Sequence, residues 1–133
     1  MDSRIYCVEL ERGPGPKYPY GDLGCRYQLF LPLFRDGRVD TDALRLGPRP
    51  CPGTRLRASD GEANGRIVLG PWGRVVLEYE DFRFLPSTLM LGSAPLAVGK
   101  SVQIAERDAK AHDYHVISVR QVSDAFAAPR ESA

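Results

Sequence analysis

The residues of this chain that could do chemistry fall in three places. His112 and His115 bracket Asp113 in the stretch HDYH. Three cysteines, Cys7, Cys25 and Cys51, are spread over the first half of the chain. Glu78, Glu80 and Asp81 crowd the stretch LEYEDF. Each group suggests a different reaction class, and the spacing argues against each. Structural zinc sites gather cysteines about two to four residues apart. These thiols are far apart, and on an extended strand His112 and His115 point to opposite faces. No metal and no cofactor is expected. A nucleophilic thiol needs a nearby cation or base to lower its pKa. Cys7 reads as strand core and Cys51, between two prolines, as exposed; only Cys25, preceding Arg26, has a cation beside it. Glu78 and Glu80 share a strand face, which solvation explains without catalysis. Gly99, Lys100 and Ser101 repeat the last three letters of a phosphate-binding loop but lack its upstream glycine. Nucleotide hydrolysis is therefore not expected, and the chain reads as a non-enzyme.

Arginine beside aromatic residues is the remaining theme. Arg12, Lys17, Tyr18, Tyr20 and Arg26 surround the stretch GPGPKYPYGDLGC, and Trp72 sits in a glycine-proline turn beside Arg74. Such residues anchor partners and also stack on nucleic-acid bases. A formal net charge of +1 argues against a dedicated nucleic-acid coat. The expected partner is a protein, with RNA second. The competing structural role for Tyr18 and Tyr20 is to plug one end of the fold.

The elements that must position these residues are strands. Proline and glycine interrupt the chain at short intervals, and between them lie short runs rich in Val, Ile, Leu, Tyr and Phe. That is the pattern of an all-β fold. Strands are expected over residues 5–10, 26–34, 54–58, 66–69, 74–79, 82–85, 88–91, 101–106 and 114–120. Within 26–34, Tyr27, Leu29, Leu31 and Leu33 form one row, and Pro32 marks an edge or a bulge. Residues 54–58 (TRLRA) read as a solvent-facing strand, and residues 59–65 as a loop with two turn dipeptides. Arg35 to Arg38 is a turn around Asp36 and Gly37. Residues 40–46 form a short helix capped by Asp40 or Thr41, or else a short strand; residues 47–53 cross without regular structure. Together these predict one small, closed or nearly closed antiparallel β-barrel of about six to eight strands, since closure removes exposed edges.

With 133 residues, 43% of them hydrophobic, the chain suits one domain with a real core. The barrel is expected over 1–122 and a frayed tail over 123–133. Sparse cysteines in odd number, and an N-terminus without a basic then apolar leader, suggest a reducing compartment, the cytoplasm. No apolar run reaches the roughly 18–20 residues that a membrane helix needs.

Two stretches carry a family resemblance. PGPKYPYGDLGCRYQLFL resembles the first hairpin of the C-terminal β-barrel domain of elongation factor Tu-like translation factors. Gly24, Arg26 and Gln28 match that family's Gly-Tyr-Arg-Pro-Gln motif, while Cys25 and Tyr27 replace its tyrosine and proline. Downstream, VQIAE is similar to a family strand ending in Phe-x-Ile-Arg-Glu, with Val102, Ile104 and Glu106 in register. The resemblance implies a stand-alone barrel that binds protein or RNA and performs no chemistry, since the family's nucleotide-binding domain has no counterpart here. A second expectation fits the same size and lack of motifs: a small immunity protein that neutralises a toxin by direct binding.

Overall fold

The computed structural model describes residues 3–13, 22–46, 51–58, 61–70, 73–106 and 110–122. Eight strands follow one another: β1 (Arg4–Arg12), β2 (Asp22–Leu33), β3 (Cys51–Arg57), β4 (Gly61–Leu69), β5 (Val75–Tyr79), β6 (Ser87–Met90), β7 (Ser101–Ala105) and β8 (Ala111–Gln121). Each pairs antiparallel with the next, and β8 returns to β1, so the sheet closes into a barrel. The all-β, closed-barrel expectation holds, at eight strands. One short helix, α1 (Thr41–Leu46), interrupts the excursion between β2 and β3. Asp40 caps it: its Oδ1 accepts the Ala43 N–H at 3.1 Å.

Strand alternation fills the lumen. Val8 and Leu10 of β1 face Tyr27, Leu29, Leu31 and Leu33 of β2, all fully buried. Val102 and Ile104 of β7 and Tyr114 and Val116 of β8 complete the row from the other side. At eight strands the interior is just wide enough for side chains to fill. Pro32 is where the pattern places an edge. The β2–β3 ladder ends at Leu29 opposite Gly53, and beyond it the Pro32 carbonyl accepts Asp40 N–H at 2.9 Å. In β8 a register shift opposite Glu9 and Leu10 turns Val119 inward, where it packs against the core.

The two ends of the barrel differ. At the end where β1 begins, Val39, Leu44 of α1 and the buried Leu96 pack against the core and close the lumen with apolar groups. Gly37, at φ +95°, makes this possible. Its carbonyl accepts Leu96 N–H at 2.9 Å, and a Cβ there would sit 2.9 Å from the Leu96 carbonyl oxygen. The opposite end, where β1 finishes and β2 starts, carries the polar side chains.

Four local expectations need correction. Residues 54–58 are not solvent-facing: Arg55 is buried and the Arg57 side chain nearly so, while Leu56 lies on the outer row. Asn64 and Gly65 are strand, not turn. Gly65 is needed for close approach, because a Cβ there would lie 2.1 Å from the Glu78 carbonyl oxygen. Residues 82–85 form a turn instead of a strand. Cys51 to Gly53 belong to β3, and Cys51 is half-buried against the core, with its thiol pKa raised by that burial.

Gly65→Ala is expected to destabilise the barrel by about 1–3 kcal/mol through overpacking against the β5 backbone. Urea denaturation followed by Trp72 fluorescence or circular dichroism measures this; unchanged stability would contradict the strand assignment.

Candidate functional site

The polar end of the barrel is built from inward positions on six strands and from Glu106 just past a seventh, β7. Glu106 continues the row of Val102 and Ile104 just past β7 and is only 5% exposed. An isolated carboxylate at that depth would be strongly unfavourable. Here the Tyr27 hydroxyl donates to its Oε2 at 2.7 Å, the Tyr114 hydroxyl donates to Oε1 at 3.2 Å, and Arg57 Nη2 donates to Oε2 at 2.5 Å. The rings of Tyr27 and Tyr114 meet edge to face, with centroids 5.1 Å apart.

The direction of the remaining hydrogen bonds follows from this anchor. Tyr27 has one hydroxyl proton and gives it to Glu106. The contact between Tyr27 and the buried Ser87 Oγ, at 3.1 Å, must then be donated by Ser87. Ser87 in turn accepts from Tyr79 at 2.6 Å. The donation runs Tyr79 to Ser87 to Tyr27 to Glu106, and each bond polarises the next. Arg55, 2% exposed, lays its guanidinium over the Tyr79 ring at 4.8 Å and the Phe84 ring at 5.0 Å. Gly53, on the same strand, leaves room across the lumen for Leu77 and Ile67, so β3 contributes arginines where other strands contribute apolar bulk.

On the other flank, Arg12 Nη2 donates to His112 Nδ1 at 2.6 Å. His112 Nδ1 therefore accepts, and Nε2 carries the hydrogen, 4.0 Å from Glu106 Oε1. Burial works against the Arg12 charge. A hydrogen bond to Cys25, then the charges of Tyr114, Cys25 and Glu106, outweigh it and hold the guanidinium pKa above its ordinary value. Cys25 thus meets Arg12. Two tyrosines and an arginine donate to Glu106, which organises the barrel end.

The sequence-predicted binding residues are separated by this arrangement. Arg12 joins the polar cluster. Arg26 lies on the outer wall, half-exposed, with its Nη2 3.1 Å from Glu9 Oε2. Lys17, Tyr18, Tyr20 and Trp72 lie outside the described residues. His112 faces inward and His115 does not, as the spacing predicts. Among the described residues no three or more His, Cys, Asp and Glu side chains gather in a metal-binding group. Cys7 is fully buried on the outer row, opposite Phe30 and Arg120, and burial raises its thiol pKa.

A second feature sits at the same end, in the connection between β5 and β6. Glu80 N–H donates to the Asn64 carbonyl at 2.9 Å, and Phe84 N–H donates to the Asp81 carbonyl at 3.1 Å. Asp81 Oδ1 accepts the Arg83 N–H at 2.9 Å, and Arg83 Nη2 closes on Oδ2 at 2.7 Å. These hydrogen bonds from Arg83 hold the Asp81 pKa down to about 2. The turn is fixed from within, Phe84 folds back edge-on to Tyr79 at 6.1 Å, and Phe82 is left 99% exposed, with Leu85 59% exposed beside it. Neither residue was among the sequence-predicted binders. The signal was available: Asp81 two residues before Arg83, with Pro86 after, marks a turn that puts an aromatic at its tip.

Compared with protein-family models, curated proteins and solved structures, the chain has no match.

Burial, and then the neighbouring negative charges, push the Tyr27 and Tyr114 hydroxyl pKa values far above the ordinary value of 10.0. The unfolded chain ionises these tyrosines near that value and the folded chain does not. The folded state therefore binds more protons above it, and stability falls as pH rises. The expected loss is ~1.4 kcal/mol per pH unit for each of the two above about pH 10. Tyrosinate absorbance at 295 nm should show these two titrating only with unfolding. Glu106→Gln should remove about 3–5 kcal/mol by leaving Arg57 without its carboxylate, measured by urea denaturation at neutral pH.

Proposed function

We propose that this chain is a non-catalytic binding module that docks a protein partner at the polar end of its barrel. The observation that supports this reading is Phe82, a fully exposed aromatic held on a turn whose own hydrogen bonds define its shape. An aromatic carried on a turn whose backbone is fixed before binding costs little backbone entropy on docking, and large binding contributions concentrate at aromatic anchors. The strand ends that flank the segment containing Lys17, Tyr18 and Tyr20, the end of β1 and the start of β2, lie at the same end. The resemblance to the translation-factor barrel points the same way, toward a barrel that binds. A protein fits better than RNA, because Arg66 and Arg83 are engaged by Glu78 and Asp81 and the remaining charge beside Phe82, Glu80, would repel phosphates.

Capture experiments with immobilised wild-type chain and with Phe82→Ala, from nuclease-treated extract of the source cells, test the reading. A partner held by the wild type should be retained at least about tenfold less by the variant. Thermal stability should change little, since the lost ring packs on nothing. The same proteins retained equally by both would overturn it, and loss of all retention on nuclease treatment would favour RNA.

A further inference from the structure

We propose that the groove beside Phe82 receives an arginine or lysine side chain from the docked partner; the proposal rests on the docking reading above and names the chemistry of its contact. The groove encloses about 580 Å³ between the β4–β5 wall and the turn, and its lining includes Arg66, Glu78, Glu80, Phe82, Phe84 and Leu85. Its charges do not balance. Arg66 Nε reaches Glu78 Oε1 at 3.3 Å, and Asp81 is engaged by Arg83. Glu80 is exposed and has no ion pair or side-chain hydrogen bond to the described residues. A partner that covers Phe82 also covers the mouth of this groove and takes Glu80 out of water. An uncompensated carboxylate in an apolar contact is strongly disfavoured. The partner must therefore bring a cation with it.

The aromatic wall selects the form of that cation. Phe82 offers both ring faces to solvent, and Phe84 already holds one guanidinium, that of Arg55, on its lumen side at 5.0 Å. A guanidinium or ammonium on an apolar stem satisfies the rings and Glu80 together. A guanidinium suits the site better, because its planar fork can stack on a ring while donating to a carboxylate. An acidic side chain would face Glu78 and Glu80, and a purely apolar one would leave Glu80 without compensation.

Amide chemical-shift titrations of the ¹⁵N-labelled chain test this with N-acetyl-arginine, N-acetyl-lysine, N-acetyl-norleucine and N-acetyl-glutamate N-methylamides at millimolar concentration. The arginine and lysine probes should shift residues 78–85, and the other two should not. Glu80→Gln should weaken the arginine probe ~three- to fivefold, and Glu80→Lys should reverse the preference toward the glutamate probe. Equal shifts from the arginine and glutamate probes, or shifts confined to other parts of the barrel, would overturn the proposal. If the probes fail while Phe82→Ala still loses a captured protein, the groove assignment falls and docking stands. If the probes bind as expected while Phe82→Ala captures the same proteins, the cation site stands and the docking reading falls.

Discussion

A single buried carboxylate sets the character of one end of this barrel. Closing eight strands leaves a lumen that must be filled, and seven of the strands fill most of it with aliphatic and aromatic side chains. The third strand instead sends in Gly53, Arg55 and Arg57. Two guanidinium groups inside a barrel need an anion and aromatic faces, and Glu106 with Tyr27, Tyr79 and Tyr114 supplies them. The hydroxyls of Ser87 and the tyrosines then have fixed donors and acceptors. Phe84 is drawn back over Tyr79 and Arg55, and this fixes the base of the turn that carries Phe82. The exposed tip is therefore a consequence of how the interior is neutralised.

The asymmetry between the ends follows from the same division. Among the described residues the far end buries no charged side chain, and it is sealed by Val39, Leu44 and Leu96. The polar end buries Arg55, leaves the Arg57 side chain 15% exposed, and is bordered by the turn between β5 and β6 with its aromatic and charged residues. A barrel plugged at one end and polar at the other has a natural direction for contact. Exposed aliphatic side chains also occur at the sealed end, Leu46 and Val98 among the described residues.

Much of the fold was legible because strand alternation has a fixed period of two. The row Tyr27, Leu29, Leu31 and Leu33 and the pair Val102 and Ile104 could be placed inward from the sequence, and Glu106 follows in the same register. The Asp-Gly turn at Gly37 was equally readable, while for residues 40–46 the sequence left Asp40 and Thr41, helix and strand, as alternatives, of which the helix capped by Asp40 forms. The arginines of β3 were not, because TRLRA has the same alternation whichever face is buried, and the usual rule sends charge outward. Only the distant Glu106, Tyr79 and Phe84, brought across the barrel, reverse that choice. Gly65 misled for a related reason: Asn-Gly signals a turn locally, yet here the glycine admits a neighbouring backbone. Phe82 was hidden in an apolar stretch whose strand-like composition is overridden by the Asp81 and Arg83 turn. Arg12 and Arg26, grouped by nearness in sequence, lie on different faces of the barrel wall, because nearness in sequence does not set the face and the register shifts between Glu11 and Arg12.

Site-directed photocrosslinking in the source cells tests the central claim, that the polar end is the contact face, most directly. A photoreactive phenylalanine analogue placed at position 82 should capture a protein partner, while the same analogue at position 46 or 98, on the sealed end, should capture none. Crosslinking from positions 46 and 98 at the same level as from 82, or from those positions alone, would contradict the account.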